Sequence, residues 1–316
     1  EVVDKNRFLQ IVSPLKDDLI LTNFSGHEQL GSLFEYHLDL LSTNGTIDFD
    51  QIVGKPITVS MEMPDQSKRF FNGFVTEFRY VGSREHFFRY QATLRPWLWF
   101  LSRTSDCRIF QEQTVPDIIR AIFQDHGMSD FKVSTTAAYR TWEYCVQYRE
   151  TDLNFVTRLM EQEGIYFYFK HEEGKHVLVL ADGKSAHGVY PEYGSIKYYP
   201  EGDSQHREVD HIDDWGVGRQ IVPEKLALTD YNFKKPRVDQ LNKDQAANNH
   251  AHSSSEYEIF DYPGEYEEPA DGGKYAKYRM EELAAQYERA TGGGNDAIAE
   301  PGQQRDRHRA DAAGGS

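Results

Sequence analysis

Residues 171–176 read HEEGKH, a grouping of two histidines and a glutamate that suggests a zinc hydrolase. In that chemistry the two His ligands sit four residues apart on one helical face, and the Glu beside the first acts as general base. Here His171 and His176 are five apart, and the position four after His171 holds Lys175, a cation. Gly174 inside the stretch would cost a helix about 1 kcal/mol relative to Ala. The spacing therefore argues against a reading in which His171, Glu172 and His176 form a zinc hydrolase.

Other clusters are weaker still. REVDHIDDW gathers Asp210, His211, Asp213 and Asp214, which could hold a divalent cation. Adjacent acids on an extended segment point to opposite sides, however, so a solvated strand end or loop is expected. His250 and His252 lie in NNHAHSSS, a small polar context that reads as a loop. Ser25 and Cys145 have no nucleophile motif around them, and no GxSxG, GxxxxGK[ST] or GxGxxG occurs. The expectation is a chain that is not an enzyme, with no catalytic, metal or cofactor-binding residues.

Composition narrows the class further. The net charge is −16, and residues 201–300 alone hold 22 acidic against 11 basic residues. Such a chain is a poor partner for nucleic acid or an anionic membrane. Its two cysteines, Cys107 and Cys145, form no CxxC pair and point to a reduced cytosolic fold. EVVDKNRFLQIV at the start lacks the pattern of a secretory signal, and no window is long and apolar enough for a spanning helix. Export would need another route. Apolar residues make up 39% and aromatics 13%, which favours a folded, strand-rich protein.

The elements that carry these residues follow from periodicity. In FEYHLDL, Phe34, Tyr36, Leu38 and Leu40 alternate with polar residues; in ITVSMEM, Ile57, Val59, Met61 and Met63 do. FVTEFRY would put Phe74, Thr76, Phe78 and Tyr80 on one face, and FRYQATL would do so for Phe88, Tyr90, Ala92 and Leu94. This is the pattern of antiparallel strands with one buried face, broken by turn signals at Thr43-Asn44-Gly45, Pro64-Asp65 and Gly82-Ser83. A barrel or sandwich is expected.

TVPDIIRAIFQDHG then reads as a helix, with Thr114 as cap, Asp117 completing a capping box and Gly127 beyond its end. TDLNFVTRLMEQEG repeats the grammar from Thr151 to Gly164. IYFYF, HEEGKH and VLVLAD follow as a β-hairpin, with the two histidines in its turn or at the strand ends. Residues 273–290 look helical, and after Gly292 the chain becomes rich in Gly, Ala, Asp and Arg.

QYRETDLNFVTRLMEQEGIYFYFKHEEGKHVLVLAD, residues 147–182, closely resembles the hub region of the VgrG family. FEYHLDLLS, GKPITV, FFNGFVTEF, LRPWLWFLSRTSDCRIFQ, LTDYNFKKPRVDQL and EYEIFDYPGEY agree with it, from about residue 7 to residue 290. The resemblance implies a spike protein of a type VI secretion system whose N-terminal region is like the tail hub of contractile phages. It implies a mixed, mainly β fold with α+β insertions, built as two barrel-like domains. Three copies would form a ring of pseudo-sixfold symmetry, a homotrimer capping the hexameric tube of the Hcp protein. A needle, and effector or adaptor proteins, would travel with it. Such a protein assembles in the cytoplasm and is then exported without a signal peptide.

The expected division is 1–105 for the first barrel-like domain and 106–190 for an α+β region. Residues 191–291 form a second barrel-like region, incomplete here, and 292–316 a disordered or altered tail. A rival reading from another class is a β-rich carbohydrate- or receptor-binding tail module.

Overall fold

The alternation in the first hundred residues builds one six-stranded antiparallel sheet. The structure is a computed structural model that describes residues 9–63, 66–188, 196–199, 211–245 and 257–294. The sheet's strands are β1 (Leu9–Val12), β2 (Ile20–His27), β3 (Glu35–Ser42), β4 (Pro56–Glu62), β5 (Lys68–Arg84) and β6 (Phe87–Arg95). Their order is β1-β4-β5-β6-β3-β2, and the edge strands β1 and β2 approach each other, so the sheet curls towards a barrel. Phe34, Tyr36, Leu38 and Leu40 are buried, as are Tyr90, Ala92 and Leu94.

Three expectations are corrected in this sheet. Thr58 and Ser60 are buried along with Ile57 and Val59, so β4 is covered on both faces. In β5 the register shifts between Val75 and Glu77, and this bulge at Thr76 reverses the facing of the strand. Phe71, Val75 and Phe78 therefore enter the core, whereas Phe74 packs on Phe100 at 5.4 Å between ring centres. Gly82 and Ser83 are not the turn: β5 runs on to Arg84, and Gly82 sits at a second register shift. The Pro64-Asp65 turn lies outside the described residues.

Between the sheet and the hairpin come β7 (Ser105–Phe110), β8 (Gln113–Thr114), α1 (Val115–Asp125), β9 (Phe131–Ser134), β10 (Thr141–Trp142), β11 (Cys145–Thr151) and α2 (Asp152–Gln162). The stripe Ile118, Ile119, Ile122 and Phe123 is wholly buried, and Val156, Leu159 and Met160 do the same for α2. Gly127 and Gly164 adopt φ of +67° and +69°, the left-handed conformation that closes a helix. Thr151 accepts the Asn154 N–H as a cap, at 3.1 Å. Thr114 differs: its hydroxyl donates to the Asp117 carboxylate at 2.6 Å rather than capping the backbone.

β12 (Tyr166–Glu172) and β13 (Lys175–Ala181) form the hairpin, and β13 pairs in parallel with β9. Both faces are covered: Phe167, Phe169, Leu178 and Leu180 join the main core, while Tyr168, Val179 and Ala181 form a small cluster behind.

The described residues fall into two compact units that divide between residues 187 and 188, with 162–164 grouped with the second. The second contains β14 (Lys197–Tyr198), β15 (His211–Arg219), β16 (Lys225–Leu228), β17 (Asn242–Gln245), β18 (Glu258–Asp261), α3 (Pro269–Ala285) and β19 (Glu288–Gly294). They make two small sheets, β14-β15-β19 and β17-β16-β18. Leu226, Leu228, Tyr266, Tyr275, Ala276 and Met280 form this unit's core. The helix expected over 273–290 begins four residues earlier, with Pro269 in its first turn, and ends at Ala285. Residues 292–294, the start of the segment expected to be a disordered or altered tail, lie in β19 and pair with β15. Residues 295–316 lie outside the described residues.

Candidate functional site

The hairpin places His171 and His176 directly opposite each other at its strand ends, beside the two-residue turn Glu173-Gly174. Each ring is then fixed by groups far away in sequence. The Asn72 backbone N–H donates to His171 Nδ1 at 3.0 Å, so this nitrogen carries no proton. His171 Nε2–H consequently donates to the Tyr36 hydroxyl at 3.0 Å, and that hydroxyl donates to Glu28. His176 takes the opposite tautomer. Its Nε2 accepts the Trp97 backbone N–H at 2.9 Å, and Nδ1–H donates to Asn72 Oδ1 at 2.8 Å. The Asn72 amide closes the network by donating to Thr58 Oγ1 at 2.8 Å and to the Ile57 carbonyl.

The hairpin lies against β5, and Asn72 of that strand carries the clasp on to Thr58 of β4. Aromatic rings surround it, with Phe34 within 5.3 Å of both imidazoles, centre to centre. Burial, with Arg69 nearby, pushes the His171 pKa down to about 3. Burial, and then the charge His171 could carry, holds His176 at about 3 as well. His176 is 2% exposed and is the more deeply enclosed of the two.

The consequence for chemistry is direct. Both nitrogens of both rings are engaged in hydrogen bonds, so no lone pair faces a metal. Glu172 lies outside the network and pairs with Lys175 at 3.4 Å. A cleft of about 130 Å³ borders His176, lined by Phe74, Trp97, Asp130 and Lys175 among others. Its histidine is already bonded on both sides and is not free to act as a base.

A second polar cluster was hidden in the helix grammar. Asp152, in the first turn of α2, is 1% exposed. Its carboxylate accepts from Arg108 at 2.7 Å, Gln147 at 2.7 Å and His126 at 2.6 Å. Its backbone N–H donates to the Thr104 carbonyl. One carboxylate thereby joins the end of α1, the β7–β11 ribbon and the start of α2. The arrangement resembles a His–Asp dyad, but the neighbouring side chains supply an arginine and an amide instead of a nucleophile.

The remaining candidates are dispersed. Ser25 is exposed on β2, Cys145 is buried in the core and Cys107 is exposed on β7. His211, Asp213 and Asp214 lie on β15, the two acids exposed as expected of a solvated strand. Asp210, His250 and His252 lie outside the described residues. Among the described residues no three His, Cys, Asp or Glu side chains gather as a metal site. None of their helices is long and apolar enough to cross a membrane.

A curled antiparallel sheet, two capped helices and a clasped hairpin define a mainly β scaffold whose polar clusters are internal. Residues 27–306 match the phage tail baseplate hub (GPD) family, and the chain belongs to it. Within that class it is similar to type VI secretion spike proteins. It is 48% identical over 284 residues to VgrG1a of Pseudomonas aeruginosa, a match covering 90% of this chain and 44% of that protein. It is 30% identical to the actin cross-linking toxin VgrG1 of Vibrio cholerae, over 93% of this chain and 28% of the toxin. The chain thus spans less than half the length of these relatives.

Among solved structures, the E. coli c3393 protein superposes with a TM-score of 0.65 at 22% identity, over 96% of this chain and 68% of that one. That protein is described as a type VI secretion component similar in structure to the T4 tail proteins gp27 and gp5.

Proposed function

We propose that this chain is the hub of a type VI secretion puncturing device. Three copies form a ring that caps the hexameric Hcp tube, and the assembled tip is exported with its effectors. The single observation that carries this reading is the 48% identity to a spike protein across nine-tenths of the chain. The internal geometry supports a scaffold: its best-formed polar clusters, around Asn72 and Asp152, are bonded within the protein. The Vibrio cholerae relative, named an actin cross-linking toxin, shares only 28% of its length with this chain.

Co-sedimentation of the purified chain with tube-protein hexamers, alongside light scattering of the chain alone, tests the reading. A trimer that sediments with the hexamer is expected. A chain that stays monomeric at high concentration and ignores the tube would overturn it.

A further inference from the structure

Asn-Gly occurs twice in the chain, at Asn44-Gly45 and Asn72-Gly73. In such a pair the glycine nitrogen can close on the asparagine side chain, because no Cβ obstructs its approach. Asn72 is held away from that chemistry. It is 1% exposed, its backbone is fixed in the β4–β5 ladder, and its amide nitrogen donates to Thr58 Oγ1 and to the Ile57 carbonyl. Asn44 instead lies just past the end of β3, half-buried, beside an exposed Gly45.

The backbone of Asn44 is pinned on both sides: its N–H donates to Ser42 Oγ at 3.0 Å, and its carbonyl accepts the Tyr90 hydroxyl at 2.9 Å. Its side-chain Oδ1 accepts the Thr46 backbone N–H at 2.9 Å and the Thr46 hydroxyl at 3.0 Å. Two donors therefore converge on the one atom that gains negative charge when the amide carbon is attacked. That is the arrangement by which donors stabilise an oxyanion.

We propose that Asn44-Gly45 is a self-modifying site, at which the fold converts an asparagine into an aspartyl or isoaspartyl residue. The Gly45 backbone nitrogen gives its proton to solvent base and bonds to Asn44 Cγ, while the C=O electron pair moves onto Oδ1 between the two Thr46 donors. Collapse of that oxyanion breaks the Cγ–Nδ2 bond, and the nitrogen leaves as ammonia with a proton from water. Water then opens the cyclic imide at either carbonyl. The sum is amide plus water to acid plus ammonia, without oxidation or reduction. The product carries a new carboxylate at residue 44 and, in its isoaspartyl form, an extra methylene in the backbone. Phe88 leaves that methylene little room, since even a Cβ on Gly45 would clash with its ring. Conversion therefore displaces the carbonyl that holds Tyr90 and loosens the Ser42–Phe88 end of the β3–β6 ladder.

The test incubates the full chain at neutral and at mildly alkaline pH, then digests it for mass spectrometry, with an isoaspartyl methyltransferase assay for the rearranged product. Asn44 should gain the mass of an amide-to-acid exchange, faster at the higher pH, while Asn72 stays an amide. In the urea-unfolded chain both pairs should convert. Thr46 is exposed, so its variants should fold. Thr46→Val keeps the backbone donor, removes the hydroxyl and should slow conversion about fivefold. Thr46→Ser keeps the hydroxyl and should retain the parent rate. A folded chain whose Asn44 stays as intact as Asn72, while both convert in urea, would overturn the site. A Thr46→Val chain that converts as fast as the parent, or faster, would overturn the activating role of Thr46 and show that its bonds restrain the amide.

Discussion

The β12–β13 hairpin and the β15–β19 ribbon are both short antiparallel pairs, and they meet opposite fates. The hairpin is covered on both faces and carries two histidines whose every nitrogen is bonded. The ribbon holds its ladder with glycines and leaves a tryptophan and a valine in water. Strand pairing alone therefore does not decide an element's role. The hairpin's aromatic and aliphatic runs drive it into the core, where its polar groups must find partners. The ribbon's strands are exposed along nearly their whole length, with Trp215 and Val217 more than half exposed.

The comparison breaks most readily at His176. His176→Ala leaves the Trp97 backbone N–H and Asn72 Oδ1 unpaired in a buried space. Each orphan costs about 1–3 kcal/mol, and the cavity adds to that, so a loss of about 3–5 kcal/mol is expected. Urea unfolding at neutral pH measures it; a loss below about 1 kcal/mol would show that the clasp is ornamental.

Acid probes the same clasp without mutation. Both histidines hold folded pKa values of about 3, below the ordinary 6.5. The unfolded chain then binds more protons between these values, so stability is complete above pH 6.5 and falls as pH drops towards 3. At pH 5 the loss is about 2 kcal/mol per histidine. Imidazole resonances of His171 and His176 should not titrate above pH 4. A midpoint near 6.5 for either ring would mean that the hairpin does not seal.

Much of this was legible in the sequence, and the illegible part has a common cause. Alternation gave the faces of β3 and β6 because one side of each is buried and nothing interrupts them. It misled at β5 because Thr76 carries no sign that a bulge occurs there. The hairpin was readable from IYFYF and VLVLAD. The clasp was not readable, because Asn72 and Trp97 are distant in sequence from their histidines. One signal was available: histidines at the ends of two uninterrupted apolar runs are carried inside with them. An acid such as Asp152 in the first turn of a helix is fully explained by helix-end grammar, and nothing near it in sequence suggests Arg108. The GGG of β19 has no side chains and thus no period, so it read as tail.

Asp152 should matter less than His176, because an amide of the same shape retains part of its bonding. Asp152→Asn removes the charge that Arg108 and His126 face and should cost about 2 kcal/mol. The same substitution at Asp214, exposed on the ribbon, supplies the control and should change stability little. Equal losses at the two sites would erase the distinction between a buried polar joint and a solvated strand.

The smallest expected effect sharpens the comparison from the ribbon side. Trp215→Thr and Val217→Thr both keep a residue suited to strands while removing apolar surface. At half or more exposure, neither parent side chain contributes much to its own unit, so unfolding free energy should stay within about 0.5 kcal/mol. The measurement belongs at low chain concentration, where coupling between association and folding is weakest. Phe169→Thr in the hairpin is the matched contrast, since that ring is 5% exposed and should lose about 3 kcal/mol. If the ribbon variants fell by as much as the hairpin variant, the Trp215 face would already be buried within one chain. A negligible loss places both side chains outside the core of their own unit.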